Sequence, residues 1–561
     1  MLGLIIAAVS SGMLVINPML SQRLIDDVIT PGNTALLPGL LLTMFGVQIL
    51  RLSLRYIMVI LMESNSTQTM TDVRRLMYEV VQGQDYRFLN RLRTGNLMTR
   101  MTSDLDRLRH TVAWVTYQFV DAIVTFTAAF TFLMFINWRL ALCLGAVAPF
   151  ILYVSRRFVK RIRSRFVLLR EKLTGLSTAV TENIDGNRVV KAFAREAYEI
   201  EQFEKHNAEY RDTSVENAVI GARYMPLLEG FSQILTPVTL VVGGLFLING
   251  SMTGGQFLAF SSLTWALSMP LRMLGMLLSD LQSYYAAASM IREVVEAEPG
   301  ISDTPEAVPI TERPAGKVEF SHVDFTVDDT PVLQDITFTA EPGETIGILG
   351  STGSGKTSLI NMLLRFYEPT RGEVLLDGVN INLRTLSSLR HNIGLAMQDV
   401  FLFSETVKGN IAYGQPELDE TVILQRAVQA DANSFITKMA DGYETLVGER
   451  GVGLSGGQKQ RISLARALAV TPAVLILDDT TSAVDSETEQ YIQAELRNLD
   501  FPCTKIIIAQ RITSFRGADR ILVLDGGRIV ERGTHEELLA NKGFYHHIWS
   551  LQNNANTEGV H

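Results

Sequence analysis

Apolar runs long enough to cross a bilayer constrain this chain more than any other feature. A helical span needs about 20 mostly apolar residues, because every backbone polar group in hydrocarbon must be paired within the segment. Six such runs fill the first half, at 2–24, 37–62, 113–136, 138–158, 222–248 and 255–280. The first has no basic flank before it and no small-residue cleavage site after it, so it is expected to be a membrane helix and not a signal peptide. At 561 residues the chain is too long for one core and should hold at least two domains. A net charge of −9 argues against nucleic acid as the main partner. Cys143 and Cys503 have no metal-ligand spacing and read as structural thiols.

Orientation follows from the basic residues. The stretch 73–109 holds Arg74, Arg75, Arg87, Arg91, Arg93, Arg100, Arg107 and Arg109. The stretch 156–170 holds Arg156, Arg157, Lys160, Arg161, Arg163, Arg165 and Arg170. The opposite connections, DDVITPGNTA, IN and NGSMTGG, carry no Lys or Arg. Positive charge stays inside, which predicts cytoplasmic long loops and cytoplasmic chain ends for a multi-pass protein of the cell membrane. The long loops have few helix breakers, so the spans should continue as helices far into the cytoplasm. The expected division is a membrane domain over 1–295, a Pro- and acid-rich linker over 296–316, an α/β domain over 317–552 and a disordered tail over 553–561.

Polar residues inside spans are costly and face protein or water. Gln118, Asp121 and Thr125 recur on one face of the third span, and Glu229, Gln233 and Thr236 on one face of the fifth. They could line a substrate cavity for cationic amphiphiles or hydrogen-bond neighbouring helices. Met269, Met273 and Met276 form a stripe on the sixth span, which suits packing, lipid contact or promiscuous binding.

From Lys317 short β-rich runs alternate with helices, the pattern of an α/β domain. The strand-like TIGILG runs into a phosphate loop: Gly350, Ser351, Thr352, Gly353, Ser354, Gly355, Lys356 and Thr357, then Ser358. Its glycines let backbone N–H groups converge on phosphate oxygens; Lys356 reaches the terminal phosphates and Thr357 ligates Mg²⁺. Downstream come Gln398 in LAMQDVFLF, then Leu454-Ser455-Gly456-Gly457-Gln458, then LILDD ending at Asp479, then SAVD. In this order the motifs resemble those of the ATP-binding cassette (ABC) transporters, specifically half-transporter exporters with six spans followed by one cassette.

The resemblance implies ATP and Mg²⁺ as cofactors. Asp478 would hold Mg²⁺ through water, with Thr357 and Gln398 as further ligands. Gln398 would sense the γ-phosphate. Ser455, Gly456, Gly457 and Gln458 would contact a nucleotide held by a second cassette, and Asp485 would lie in the loop crossing to it. Glu449 would meet the cytoplasmic helices. Thr102–Arg109 and Glu182–Phe193 would carry coupling helices, or be solvated charged helix.

Three positions depart from the family. Asp479 stands where Glu usually polarises the attacking water; it is shorter by one methylene, about 1.5 Å of reach. Gln510 stands where His usually precedes Arg, and cannot carry a proton or charge. Val327 stands where an aromatic usually stacks on adenine, unless a neighbour such as Phe325 compensates. The expectation is therefore a site that holds Mg·ATP but cleaves it slowly, in a heterodimer with a second half-transporter that keeps Glu and His. The cargo class expected is amphipathic and of the multidrug type, among membrane lipids. A lipid, peptide or siderophore cargo, or a regulatory subunit of an ATP-gated pore, stays open.

Overall fold

A computed structural model describes residues 1–515 and 517–558, without the side chains of residues 152, 159, 163, 228, 232, 271, 274, 275, 278 and 554–558. The chain forms two compact units: residues 1–83 with 92–297, and residues 84–91 with 298–561.

The first unit is helical. Among the described residues, five stretches are long and apolar enough to cross a membrane: Leu2–Ile29, Thr34–Gln82, Thr94–Ile136, Trp138–Asp185 and Glu196–Ile248. The sixth expected span falls in the helix Gly254–Val295, part of whose side chains lie outside the described set. At 1.5 Å per residue the 49-residue second stretch is about 73 Å long, more than twice a hydrocarbon core of ~30 Å. Helical backbone thus runs well past the bilayer. Tight reversals separate the spans. Asn137 is extended (φ −154°, ψ 100°), and its side chain accepts from Leu140 N at 3.2 Å to cap the next helix. Asp26 accepts from Thr253 Oγ1 (2.6 Å) and Gly255 N (2.9 Å) at the start of the helix Gly254–Val295. The core holds Leu133, Leu140, Phe260 and Leu263. Gly243 allows close packing there: a Cβ would lie 3.1 Å from Phe257 and 3.3 Å from Leu140 and would press on both side chains.

The stretch Thr102–Arg109, read above as a coupling segment, is tied into this first unit. Next to it Arg100 is 8% exposed, donates to the Met290 carbonyl (3.1 Å) and pairs with Glu293 (2.8 Å). Arg109 pairs with Glu63. The segment that packs with the second unit is Gln84–Arg91, which a boundary at 295 assigns to the membrane domain. The Tyr86 ring lies 4.7 Å from Phe366 and 6.5 Å from Tyr367, centroid to centroid. The stretch Glu182–Phe193 is a sharp tip between the helices Ala148–Asp185 and Glu196–Gln233, with Ile184, Val189 and Phe193 all exposed.

The second unit holds two sheets. Strands β1 (Val318–Val327), β2 (Thr330–Ala340), β4 (Arg371–Leu376) and β5 (Val379–Asn380) form an antiparallel sheet in the order β2-β1-β4-β5. Asp328 and Asp329, both at positive φ (46° and 61°), make the two-residue turn from β1 to β2. The larger sheet joins β3 (Thr345–Gly350), β6 (Ile393–Ala396), β7 (Val474–Asp478), β8 (Thr504–Ile508), β9 (Arg520–Asp525) and β10 (Arg528–Gly533) in the order β10-β9-β3-β8-β7-β6. It is parallel except for the β9–β10 pair. Strand β7 is buried throughout, as expected of a parallel strand covered on both faces.

The linker is held down and not free. Val308 N donates to the Leu383 carbonyl (2.9 Å), Asp303 accepts from Leu386 N (2.7 Å), and Arg313 donates to the Pro472 and Pro502 carbonyls. The last helix, Phe544–Glu558, reaches into the tail expected to be disordered. Burial pushes the Cys503 thiol up to about 11, so it is inert at neutral pH.

Arg426 is buried (side chain 4% exposed) and pairs with Asp500, whose side chain is 45% exposed. The guanidinium's hydrogen bonds hold the Asp500 carboxyl down at about 2. Asp500→Asn would strand a buried cation, which costs roughly 3–5 kcal/mol in a dry pair and about 1–2 kcal/mol here, with one partner in solvent. A depressed carboxylate stabilises above its unfolded value near 4 and loses that contribution as pH falls toward 2. Thermal unfolding of the solubilised chain should therefore show a midpoint lower by a few degrees in Asp500→Asn at pH 7, with the gap closing as pH falls from 4 toward 2. Equal midpoints at pH 7 would mean the pair contributes nothing.

Candidate functional site

Parallel strands deliver their chemistry at their carboxyl ends. Register pairs Asp478 of β7 with Ile508 of β8, and β3 lies on the other side of β8. The residues that follow these three strands are the phosphate loop, Asp479 and Gln510.

The phosphate loop leaves β3 at Gly350 and enters the helix Lys356–Leu363. Gly353 and Gly355 sit at φ +83° and +98°, the left-handed region that side chains rarely adopt. A Cβ on Gly355 would also run into Leu333 and the Val332 carbonyl. Ser354 is buried and closes the turn by donating its N–H to the Ser351 carbonyl at 3.2 Å. Lys356 Nζ donates to the Gly350 and Ser351 carbonyls at 2.8 Å each, so the ammonium lies folded over the loop. Burial pushes Lys356 down from the usual ammonium value, while Asp478 and Asp479 pull it back up. Thr357 and Ser358 begin the helix, and the Thr357 side chain is exposed.

Asp478 is 8% exposed, and burial pushes its carboxyl up. The charge of Asp479 adds to that push, and Lys356 opposes it. A crowded pair of carboxylates with a nearby hydroxyl suits a hard divalent cation with oxygen ligands. Among the described residues no group of three or more His, Cys, Asp or Glu could hold a metal alone.

Asp479 adopts φ +51°, a conformation in which Asp is one of the few tolerated side chains. Its N–H donates to the Ile508 carbonyl at 2.8 Å. Gln398 Nε2 approaches its Oδ2 at 3.5 Å, the outer limit of a hydrogen bond. Gln510 follows β8 with an exposed side chain, and Gln552 grips its carbonyl (2.9 Å) and the Ile512 N–H (3.0 Å).

At the adenine position Val327 is 43% exposed. Phe325, offered above as a replacement ring, is 1% exposed and packs in the core 5.4 Å from Tyr367. Phe325 belongs to the inward set of β1 with Val318, Phe320 and Val323, and a register shift between Phe325 and Thr326 breaks the alternation before Val327.

The signature residues form a helix start. Ser455 accepts from Gln458 N (3.3 Å), and Gln458 Oε1 accepts from Ser455 N (2.9 Å), a reciprocal cap on the helix Gly456–Ala469. Gly456 and Gly457 lie against the turn after β7: a Cβ on Gly457 would come 2.8 Å from the Ala483 carbonyl. Asp485 caps the helix Ser486–Arg497 by accepting from Thr488 N at 2.9 Å. Glu449 is exposed in a 3₁₀ turn, Glu449–Gly451.

One connecting residue was missed from sequence. Gln460 Nε2 donates to the Asp479 carbonyl (3.2 Å) and to Ser482 Oγ (3.1 Å), and its Oε1 accepts from Ala483 N (3.1 Å). It lies three residues past Gly457, one turn along the same helix face, which is the signal that could have found it.

Of the polar span residues, Asp121 accepts from Ser11 Oγ at 2.5 Å, a bond between the first and third stretches. Asp121 thus makes a hydrogen bond between helices. Gln118 is half-buried, whereas Glu229 and Gln233 are exposed near the end of the helix Glu196–Gln233.

Residues 1–271 match the ABC transporter transmembrane region family, and residues 333–482 match the ABC transporter family. The ATP-dependent lipid A-core flippase of Syntrophus aciditrophicus (strain SB) is 35% identical over 94% of this chain and 88% of its own length. The fatty acid ABC transporter ATP-binding/permease protein of Mycobacterium tuberculosis (strain CDC 1551 / Oshkosh) is 37% identical over 81% of this chain and 72% of its own. A solved bacterial Atm1-family ABC exporter with ATP bound shares the fold, with a TM-score of 0.84 and 24% identity over 98% of this chain and 97% of that one. Membrane helices followed by a cassette whose phosphate loop and two carboxylates lie at the carboxyl ends of strands in one sheet, together with these matches, place this chain in the ABC transporter family, as an exporter half-transporter with one transmembrane region fused to one nucleotide-binding domain.

Proposed function

We propose that this chain is the ATP-holding, slow-cleaving half of a heterodimeric exporter of amphipathic compounds in the cell membrane. The observation that carries the reading is the pair Asp479 and Gln510, side by side after β7 and β8 where the γ-phosphate would lie. The holding parts are whole. Loop N–H groups and Lys356 would bind the phosphates, and Thr357, Gln398 and Asp478 would hold Mg²⁺. When bound, Mg²⁺ would neutralise charge on the terminal phosphates.

The cleaving parts are weak. Asp479 is short by about 1.5 Å, and misplacing a catalytic group by ~1 Å costs on the order of a hundredfold. Gln510 can donate a hydrogen bond but brings no charge. With Val327 half-exposed and Phe325 in the core, adenine gains no ring from either residue. The capped signature helix is intact, and it would act on the partner's nucleotide through Ser455 and Gly457. The exposed apolar tip of Ile184, Val189 and Phe193 is suited to dock on a partner's cassette. The arginines of 73–109 and 156–170 favour a cytoplasmic location for the cassette and both chain ends. A lipid-like cargo is favoured among amphipathic compounds by the relatives named for lipid A-core and fatty acid.

Expressed alone, the chain should show little ATPase activity; with its partner it should co-purify and turn over. Robust, transport-coupled hydrolysis by the purified chain alone would sink the heterodimer.

In the assembled complex, removing the partner's catalytic Glu should lower steady-state ATPase by roughly a hundredfold or more, the usual worth of a general base. Asp479→Asn should leave most of it. Asp479→Glu with Gln510→His should return measurable hydrolysis to a complex lacking the partner's Glu. If Asp479→Asn alone stops turnover as completely as loss of the partner's Glu, Asp479 is a full catalytic base and the asymmetry fails.

A further inference from the structure

The helices Ala148–Asp185 and Glu196–Gln233 run antiparallel and enclose a cleft of about 470 Å³, the size of a small-ligand site. Arg161 and Arg165 line it from the first helix, and Glu216, Arg223 and Tyr224 from the second. Its one lining carboxylate, Glu216, is taken by Arg165 at 2.7 Å. Among the described residues no acid pairs with Arg161 or Arg223. The cleft therefore carries two unmatched guanidinium groups.

The mismatch is local. Lys172 pairs with Glu209 at 2.8 Å, and seven residues along each helix Arg165 pairs with Glu216. Another seven residues along, the facing positions are Phe158 and Arg223, where an acid would continue the pattern. The Phe158 ring instead lies 5.6 Å from Tyr224, centroid to centroid. Charge matching stops at the end of the hairpin nearest the apolar run APFILYV, which closes at Val154. Arg161 lies seven residues past Val154, about 10 Å along the axis, within reach of the headgroup layer for a long side chain. Val215 and Val219, both exposed, give the same cleft an apolar wall.

We propose that this cleft binds the phosphate-bearing headgroup of an anionic amphiphile drawn from the adjoining leaflet. Guanidinium forks match phosphate oxygens two at a time, and basic pockets between spans suit anionic headgroups. The Tyr224 ring, packed on Phe158 at the end of the cleft nearest the apolar run, fits the start of an acyl chain. The proposal relies on the exporter reading only for placing the hairpin at a membrane surface.

The test is native mass spectrometry of the full chain, solubilised and free of nucleotide, titrated with phosphatidylglycerol, with phosphatidylcholine, and with phosphatidylglycerol against excess inorganic phosphate. Binding needs no turnover, so a complex that binds but fails to transport would overturn the exporter reading and leave this one standing. Phosphatidylglycerol should be retained and phosphatidylcholine should not. Arg161→Gln with Arg223→Gln should weaken retention about tenfold, and the matching Lys pair should restore part of it. Glu216→Gln, which frees Arg165 and removes the cleft's only acid, should retain or tighten binding. It also keeps the test open should the double variant fold poorly. Equal retention by wild type and the double Gln variant, equal binding of phosphatidylcholine, or weaker binding in Glu216→Gln would each overturn the site. Displacement by inorganic phosphate would overturn the amphiphile and assign a free-phosphate site.

Discussion

A single backbone hydrogen bond, from Asp479 N–H to the Ile508 carbonyl at 2.8 Å, fixes where the chemistry of this protein can take place. It extends the β7–β8 ladder one residue past Asp478 and turns the chain into a left-handed kink at Asp479. Without that register, Asp479 and Gln510 would not emerge beside each other. The phosphate loop joins them because β3 pairs with β8 on its other edge, in the same direction. Largely apolar strands make this possible, since a parallel sheet covered on both faces accepts Val, Leu and Ile at successive positions. The first charged residue after Val474–Leu477 is Asp478, at the carboxyl end of β7.

The membrane unit obeys a different constraint. Lipid offers no hydrogen-bond partners, so its backbone is helical almost throughout, and its reversals are brief and capped by Asn137, Thr253 and Asp26. Burial within the unit is modest along the long helices, because much of the apolar surface faces outward. Leu42, Phe45 and Ile49 are among the large apolar side chains left exposed on the helix Leu37–Gln82. Polar groups between spans then stand out, as with the Ser11–Asp121 bond.

What could be read from sequence was what is local. The spans are contiguous runs, the phosphate loop is eight consecutive residues, and TIGILG maps onto β3 residue for residue. What could not be read depended on distant partners. Tyr86 sits in a stretch with no apolar period, and only Phe366 and Tyr367, 280 residues away in sequence, make it part of the cassette. Thr102–Arg109 has the charge of a solvated loop, but Glu63 and its neighbour's partner Glu293 draw it into the helical unit. Phe325 is two residues from Val327, so nearness in sequence suggested a substitute. A register shift after Phe325 instead leaves it with the core set and Val327 exposed. Asp121 left two readings open because Ser11 is 110 residues away.

Gln460 shows how the two halves of the cassette's chemistry are bound into one object. Its side chain makes three hydrogen bonds to the turn after β7, one of them to the carbonyl of Asp479, while its backbone belongs to the helix that Ser455 caps. Each bond is worth about 1 kcal/mol net, but leaving a buried amide unpaired costs more than making it gains. Gln460 is 6% exposed, so a shift of either element alone would strand it. The turn that follows β7 and the start of the helix Gly456–Ala469 are therefore coupled through Gln460. A loss of chemistry at Asp479 need not loosen that linkage, since Gln460 holds the residue by its carbonyl and not by its carboxylate. The carboxylate can thus change at Asp479, among the few side chains that a left-handed backbone tolerates, while the signature helix keeps its place.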